Sequence, residues 1–158
     1  IAATIRQLRD KKLTIPCLDT SVDLSQSLQA SDTLAQMMGI AHDLQVPYVV
    51  AWASESKEDT IRANVEQLLP LAEEKNVCLL IKTSGIYADT ARLRMLLDSF
   101  ACDELAVLWD VHHPYRDHGE SGDITIKNLG DYVRHVHLRD SNDAGAYGAF
   151  KLALDAFG

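Results

Sequence analysis

Short apolar runs recur along the chain at near-constant spacing. They are Leu13–Leu18 (LTIPCL), Pro47–Ala53 (PYVVAWA), Val77–Thr83 (VCLLIKT), Leu105–Val111 (LAVLWDV) and Val133–Arg139 (VRHVHLR). Each run is continuous rather than alternating, the pattern of a strand buried on both faces. Successive runs start roughly 30 residues apart, the length of one βαβ unit. Amphipathic stretches fill the intervals. Ile61, Val65, Leu68, Leu69 and Ala72 form one helical stripe, preceded by Ser56 and Asp59 in capping-box spacing. Leu93, Leu96, Leu97 and Phe100 form a second, and Leu34, Met38, Ala41 and Leu44 a third. Ile1, Ile5 and Leu8 finish an earlier helix, and Ile124–Tyr132 predicts a short late one.

Strict alternation of strands and helices implies a parallel sheet with right-handed crossovers. The pattern does not by itself separate a closed barrel from an open doubly wound sheet. No strand is followed by G-x-G-x-x-G or a P-loop, which removes support for the nucleotide-binding open sheets. Five strands are too few for an eight-stranded barrel, which typically takes about 250 residues.

Composition narrows the classes further. The chain has 158 residues, 47% of them apolar and 24% charged, the make-up of one ordinary globular domain. No run approaches the roughly 18 apolar residues of a membrane helix, so no membrane partner is expected. A formal charge of −8 disfavours broad nucleic-acid binding. Ile1–Asp10 lacks the basic-then-apolar pattern of a signal peptide. It also lacks a Met and begins within a helical pattern, so upstream residues are expected. Three dispersed cysteines, Cys17, Cys78 and Cys102, form no C-x-x-C pair, which suits a reducing cytoplasm. Cys17 and Cys78 fall in strand-like runs and are expected to be small buried thiols.

In parallel α/β folds the chemistry gathers at the carboxyl ends of the strands. Three runs here end in polar groups: Lys82-Thr83-Ser84 after the third, Asp110-Val111-His112-His113 after the fourth, and His135-Val136-His137-Leu138-Arg139-Asp140 in the fifth. Asp110 and His113 offer a carboxylate and an imidazole from one strand end, a donor set that divalent ions accept. Equally, Asp110 suits a helix cap beside a surface histidine. His135 and His137 point the same way, and imidazoles fill a helix-facing layer poorly, which favours the lumen. Trp52, ending the second run, reads as core or as a sugar-stacking ring. Arg116–Asp123, with His118 and Glu120, reads as a solvated loop that is placed to cover the site.

These residues carry a resemblance. Leu108–Arg116 (LWDVHHPYR), Gly119-Glu120-Ser121 and His135–Asp140 (HVHLRD) resemble the xylose isomerase-like, AP-endonuclease-2-type (β/α)8 barrels. Leu79–Ala88 (LLIKTSGIYA) is similar to that family's fourth strand and the turn after it. The resemblance covers nearly the whole chain. It implies a TIM barrel, incomplete here: residues 1–158 as one partial domain of about five βα units, lacking the first strand and the last ones. The passage Asn142–Ala149 is short for what should follow.

The resemblance further implies a sugar isomerase or epimerase moving a proton beside the carbonyl of a small polyhydroxylated substrate. Its divalent ion (Mn, Co, Zn or Mg) would be held by two glutamates, one Asp and one His. By position the Asp is Asp110 and the His is His137, while His113 and Arg139 would touch substrate. A homodimer is compatible with it. Two departures stand out. Lys82 occupies the place of one ligand glutamate, and an ammonium repels a metal. The other glutamate is not assigned, because its strand would begin near Leu152–Gly158. Lys82 is accordingly a catalytic candidate, as base or as substitute for the cation's charge. The alternatives are a non-catalytic sugar-binding barrel, or a neighbouring residue supplying the missing ligand. An inosose-type dehydratase lies close to the isomerase reading. An AP endonuclease lies further off, since it needs more metal ligands and a basic surface.

Overall fold

The computed structural model describes residues 2–27, 29–141 and 147–148. Five parallel strands, β1 (Leu18–Asp23), β2 (Tyr48–Ala53), β3 (Cys78–Gly85), β4 (Leu105–Asp110) and β5 (Val133–His137), lie in sequential order β1-β2-β3-β4-β5. Helices α1 (Ala2–Asp10), α2 (Gln29–Leu44), α3 (Glu58–Lys75), α4 (Thr90–Phe100), α5 (His112–His118) and α6 (Gly122–Leu129) occupy the intervals. A two-residue hairpin arm, Asp140–Ser141, pairs antiparallel with Tyr147–Gly148. The expectations placed on Asn142–Ala149 and Leu152–Gly158 otherwise fall outside the described residues.

One sheet face carries the main core. Val49, Ala51, Ala53, Leu79, Ile81, Leu105 and Val107 pack against Leu34 and Met38 of α2, Ile61, Val65 and Leu68 of α3, and Leu93 and Leu97 of α4. Each of these helices thus buries the apolar stripe that its sequence displays. The opposite face carries a smaller apolar layer, Val50, Leu80, Ala106 and Leu108, with Cys17, Tyr48 and Cys78 against it. Register aligns these residues as rungs, with Val50 beside Leu80, Leu80 beside Ala106, and Leu108 beside His135. This second face is the lumen side. Donor atoms of Cys17, next to β1, come within 4.8 Å of those of His135 and His137 on β5, so the sheet curls until its two edges face each other.

Four of the five expected strands stand within two residues of their apolar runs. The first does not. The run Leu13–Leu18 contains Pro16, which has no N–H for a ladder, and the strand is instead the polar LDTSVD. Ser56 and Asp59 do not form a capping box: the residue flanking α3 is Lys57, and no side chain caps that end. The stretch expected as a loop, Arg116–Asp123, contains the end of α5 and the start of α6. Gly119, at φ 68° in the left-handed region, ends α5.

The sheet loosens at its carboxyl ends. Ladder pairing of β3 with β4 ends at Lys82 and Leu108, and beyond it the Thr83 hydroxyl takes over. Thr83 Oγ1 donates to Asp110 O (3.1 Å) and accepts from Asp110 N (2.9 Å). On β3, Gly85 has φ 61°, and a Cβ there would come 2.1 Å from the Ala53 carbonyl oxygen, so only glycine lets the two strand ends approach. Asp23, at the end of β1, accepts from Ser25 N (2.9 Å), Ser25 Oγ (2.6 Å), Ser54 N (3.2 Å), and also Ser54 Oγ. Burial pushes this carboxyl up, but those bonds outweigh it and lower its pKa to about 2. The β1 and β2 ends are thereby tied together at the rim of the lumen.

Candidate functional site

The lumen face delivers a group of charged side chains to the strand ends. Asp19 lies beside Val50, Lys82 beside Leu108, and Asp110 beside His137. Period-two alternation puts Asp19, Lys82, Asp110, His135 and His137 on this face, one layer above the apolar rungs or level with them. His135 and His137 therefore occupy the lumen, as their alternation suggests.

Lys82 and Asp110 form the centre. Lys82 Nζ is 3.2 Å from Asp19 Oδ2 and 4.0 Å from Asp110 Oδ2, and its side chain is 15% exposed. Asp110 is fully buried. Its Oδ2 has Arg139 Nε at 2.8 Å and His113 Nε2 at 3.9 Å. The Arg139 contact has the distance of an ion pair without hydrogen-bond alignment, and Oδ2 has no aligned donor among the described residues. Oδ1 receives a long bond from His112 N (3.4 Å). A buried carboxylate is expensive unless compensated, and here two cationic side chains converge on it.

His113 sits in the first turn of α5, and Asp117 lies one turn later. Their Nδ1–Oδ2 distance is 2.7 Å. A carboxylate only accepts, so the ring donates from Nδ1, and in its neutral form Nε2 is the unprotonated nitrogen. A cavity of about 480 Å³ at the strand ends is lined by Asp19, Trp52, Lys82, Ser84, His113 and Asp117, among others. Trp52 thus faces the cavity, its Nε1 directed to Ser21 O at 3.4 Å. A larger hollow of about 590 Å³ lies at the other end of the sheet, between α1, His42 and Lys75. It is remote from the converging charges, and the carboxyl end is where this architecture puts its chemistry.

The sequence-derived candidates Lys82, Asp110, His113, His137 and Arg139 all meet on this face. Asp19 and Asp117 are additions. Asp19 is hidden by the misplaced first strand, and Asp117 by the reading of its helix as loop. An i, i+4 spacing to His113 was the available signal for Asp117. His137 is held below the ordinary imidazole range by burial and by Lys82, which favours its neutral form. Burial, then the Asp19 carboxylate, pushes the Cys17 thiol up. Glu120, expected in a solvated loop, is instead buried. It accepts from Thr90 Oγ1 (2.5 Å), Thr125 Oγ1 (2.6 Å) and Thr90 N (3.4 Å), tying α4 to α6 behind the sheet.

Residues 1–149 match the family model described as xylose isomerase-like TIM barrel. The chain belongs to that family. Solved structures agree on the fold. A xylose isomerase domain protein from Planctomyces limnophilus superposes with TM-score 0.74 at 12% identity, over 88% of this chain and 58% of its own. A D-allulose 3-epimerase from Methylomonas sp., in complex with D-allulose, gives TM-score 0.71 at 16% identity, over 86% and 55%. The IOLI protein, with a zinc atom bound, gives TM-score 0.66 at 18% identity, over 89% and 58%. The chain thus spans less than two thirds of the length of these structures, and its barrel is partial. Among the curated proteins no match is found. Among the described residues no helix is long and apolar enough to cross a membrane.

Within this xylose isomerase-like frame, the surroundings of Asp110 do not fit a divalent ion. Its Oδ2 already has a guanidinium nitrogen at 2.8 Å and an ammonium at 4.0 Å. A dication placed on that oxygen would face both cations at close range in a poorly solvated site. The same oxygen does suit a hydroxyl donor from a ligand, since no aligned donor occupies it among the described residues.

Proposed function

We propose that this protein isomerises or epimerises a small polyhydroxylated carbonyl compound by proton transfer at the carbon beside the carbonyl. One observation carries the reading: an oriented imidazole, His113 on Asp117, and a fixed cation, Lys82 on Asp19, line the same cavity. His113 Nε2 takes the α-proton as general base. As charge develops on the carbonyl oxygen, the Lys82 ammonium donates to it and steadies the enediolate. The imidazolium then returns the proton to the neighbouring carbon as that carbon's hydroxyl proton passes to the former carbonyl oxygen. For epimerisation, water delivers a proton to the opposite face of the same carbon and the imidazolium releases its own to solvent. Asp110 Oδ2 accepts from a substrate hydroxyl, Arg139 donates to another, and the Trp52 ring supplies an apolar wall for C–H groups. The epimerase and isomerase-like neighbours support the substrate class.

The test is solvent-proton exchange. Aldoses, ketoses and sugar acids are incubated in D2O with the protein, and deuterium at the α-carbon is followed by NMR. Exchange by the wild type should fall at least about 100-fold in His113→Ala and in Lys82→Met. Undiminished exchange in both variants removes the mechanism. A sugar that raises the melting temperature without exchanging supports a second reading, a non-catalytic sugar-binding barrel. That reading draws on the pairing of Lys82 with Asp19 where a metal-binding glutamate is expected.

A further inference from the structure

We infer that Cys17, His135 and His137 form a transition-metal site of their own, suited to zinc or cobalt(II). It goes beyond the proton-transfer reading and shares no residue with its acid–base pair. Cys17 precedes β1 at one edge of the sheet, and the histidines lie on β5 at the other. A thiol sulfur and two imidazole nitrogens from these residues all lie within 4.8 Å of one another. In a tetrahedral zinc site such atoms stand about 3.5 Å apart, a contraction that rotation of three partly exposed side chains supplies. The two imidazoles meet edge to face, with centroids 5.1 Å apart and planes at 80°, so their nitrogens converge without stacking.

Three features make this a ligand set rather than a polar cluster. None of the three side chains is committed to a hydrogen bond among the described residues. One sulfur and two nitrogens select zinc, cobalt or copper over magnesium, manganese and calcium, which prefer oxygen. Three protein ligands leave a fourth position for water or another donor, the form of a reactive rather than a purely structural site. The position is also distinct. His135 is level with Leu108, one rung deeper than Asp110, while His137 is level with Asp110, so the ion sits at the lower edge of the Lys82–Asp110–Arg139 cluster and not on Asp110 itself. Lys82, Asp19 and Asp110 face His137, and a thiolate from Cys17 offsets part of the ion's charge beside Lys82. The same ion could not be accommodated on Asp110 Oδ2, for the reason given above.

Cobalt(II) is the probe. The full chain, stripped with chelator and kept reduced, is titrated with CoCl2. One equivalent should produce near-ultraviolet thiolate-to-cobalt charge transfer and visible bands of tetrahedral intensity. Cys17→Ser should remove the charge-transfer band, and His135→Gln should weaken binding at least about 100-fold. Asp110→Asn and Cys78→Ser should keep both signals. Circular dichroism identifies any variant that has not folded, and Cys17→Ala replaces Cys17→Ser in that event. No cobalt bound, or a spectrum that persists in Cys17→Ser and vanishes in Asp110→Asn, overturns the assignment. The proton-transfer reading fails separately: His113→Ala leaves the cobalt spectrum intact whatever it does to exchange.

Discussion

Two carboxylates are buried on opposite sides of this sheet, and they are satisfied in opposite ways. Glu120, behind the sheet, takes two hydroxyls and a backbone N–H from Thr90 and Thr125, all neutral, short-stemmed and locked in α4 and α6. Asp110, on the lumen side, is compensated by Arg139 and Lys82, two long cations that reach it from other strand ends. Fixed neutral donors join elements and have nothing to exchange. Long cations around an oxygen without an aligned donor hold charge in readiness and can turn to a ligand. The first arrangement stabilises a fold, and the second equips a site.

The sharpest way to break this contrast is to remove Glu120. Glu120→Ala strands two buried hydroxyls and an amide, and about 3 kcal/mol of stability should be lost. A urea midpoint shifted at unchanged slope would register it. Asp110→Asn should cost less, about 1–2 kcal/mol, because Lys82 keeps Asp19 and Arg139 is a third exposed. The loss of one negative charge between two cations should also make sulfate raise the melting temperature of this variant more than that of the wild type. A larger loss in Asp110→Asn than in Glu120→Ala would reverse the two roles.

Asp23 supplies the smallest effect and an intermediate case, a rim carboxylate bonded by serines. Its folded pKa, about 2, lies below its ordinary value of 3.8. The stability it contributes is therefore fully present above about pH 4 and is lost as pH falls toward 2. Because the group is only partly buried, about 1 kcal/mol is expected rather than the full value of the shift. The stability difference between wild type and Asp23→Asn, followed by urea titration, should shrink over that interval.

How much of this was legible depends on what each residue is buried against. The runs that became β2, β3 and β4 sit mid-sheet with neighbours on both sides and apolar cover, so their continuous hydrophobicity located them. β1 is an edge strand whose lumen side meets polar groups, and its sequence LDTSVD reads as a turn. Asp19, the partner of Lys82, was lost with it. The imidazoles of β5 could be oriented by alternation alone, but Cys17 could not be matched to them, since their meeting requires the curl of the whole sheet. Asp117 was recoverable: Pro114 in a first turn and Gly119 after the last mark a short helix. Glu120 gave no such signal. Its burial follows from the packing of α4 against α6, which no local pattern encodes.

The sequential strand order has a consequence for how the chain assembles. Leu18 pairs with Val49, Leu79 with Leu105 and Leu108 with His135, so every strand closes on the one made just before it. Each closure spans a loop of similar length and therefore carries a similar entropy penalty. During synthesis each strand therefore emerges after the strand it pairs with, and no pairing waits for a distant segment. Assembly then proceeds as a row of equivalent additions, in which the lumen cations and their carboxylates come together only as the later strands arrive.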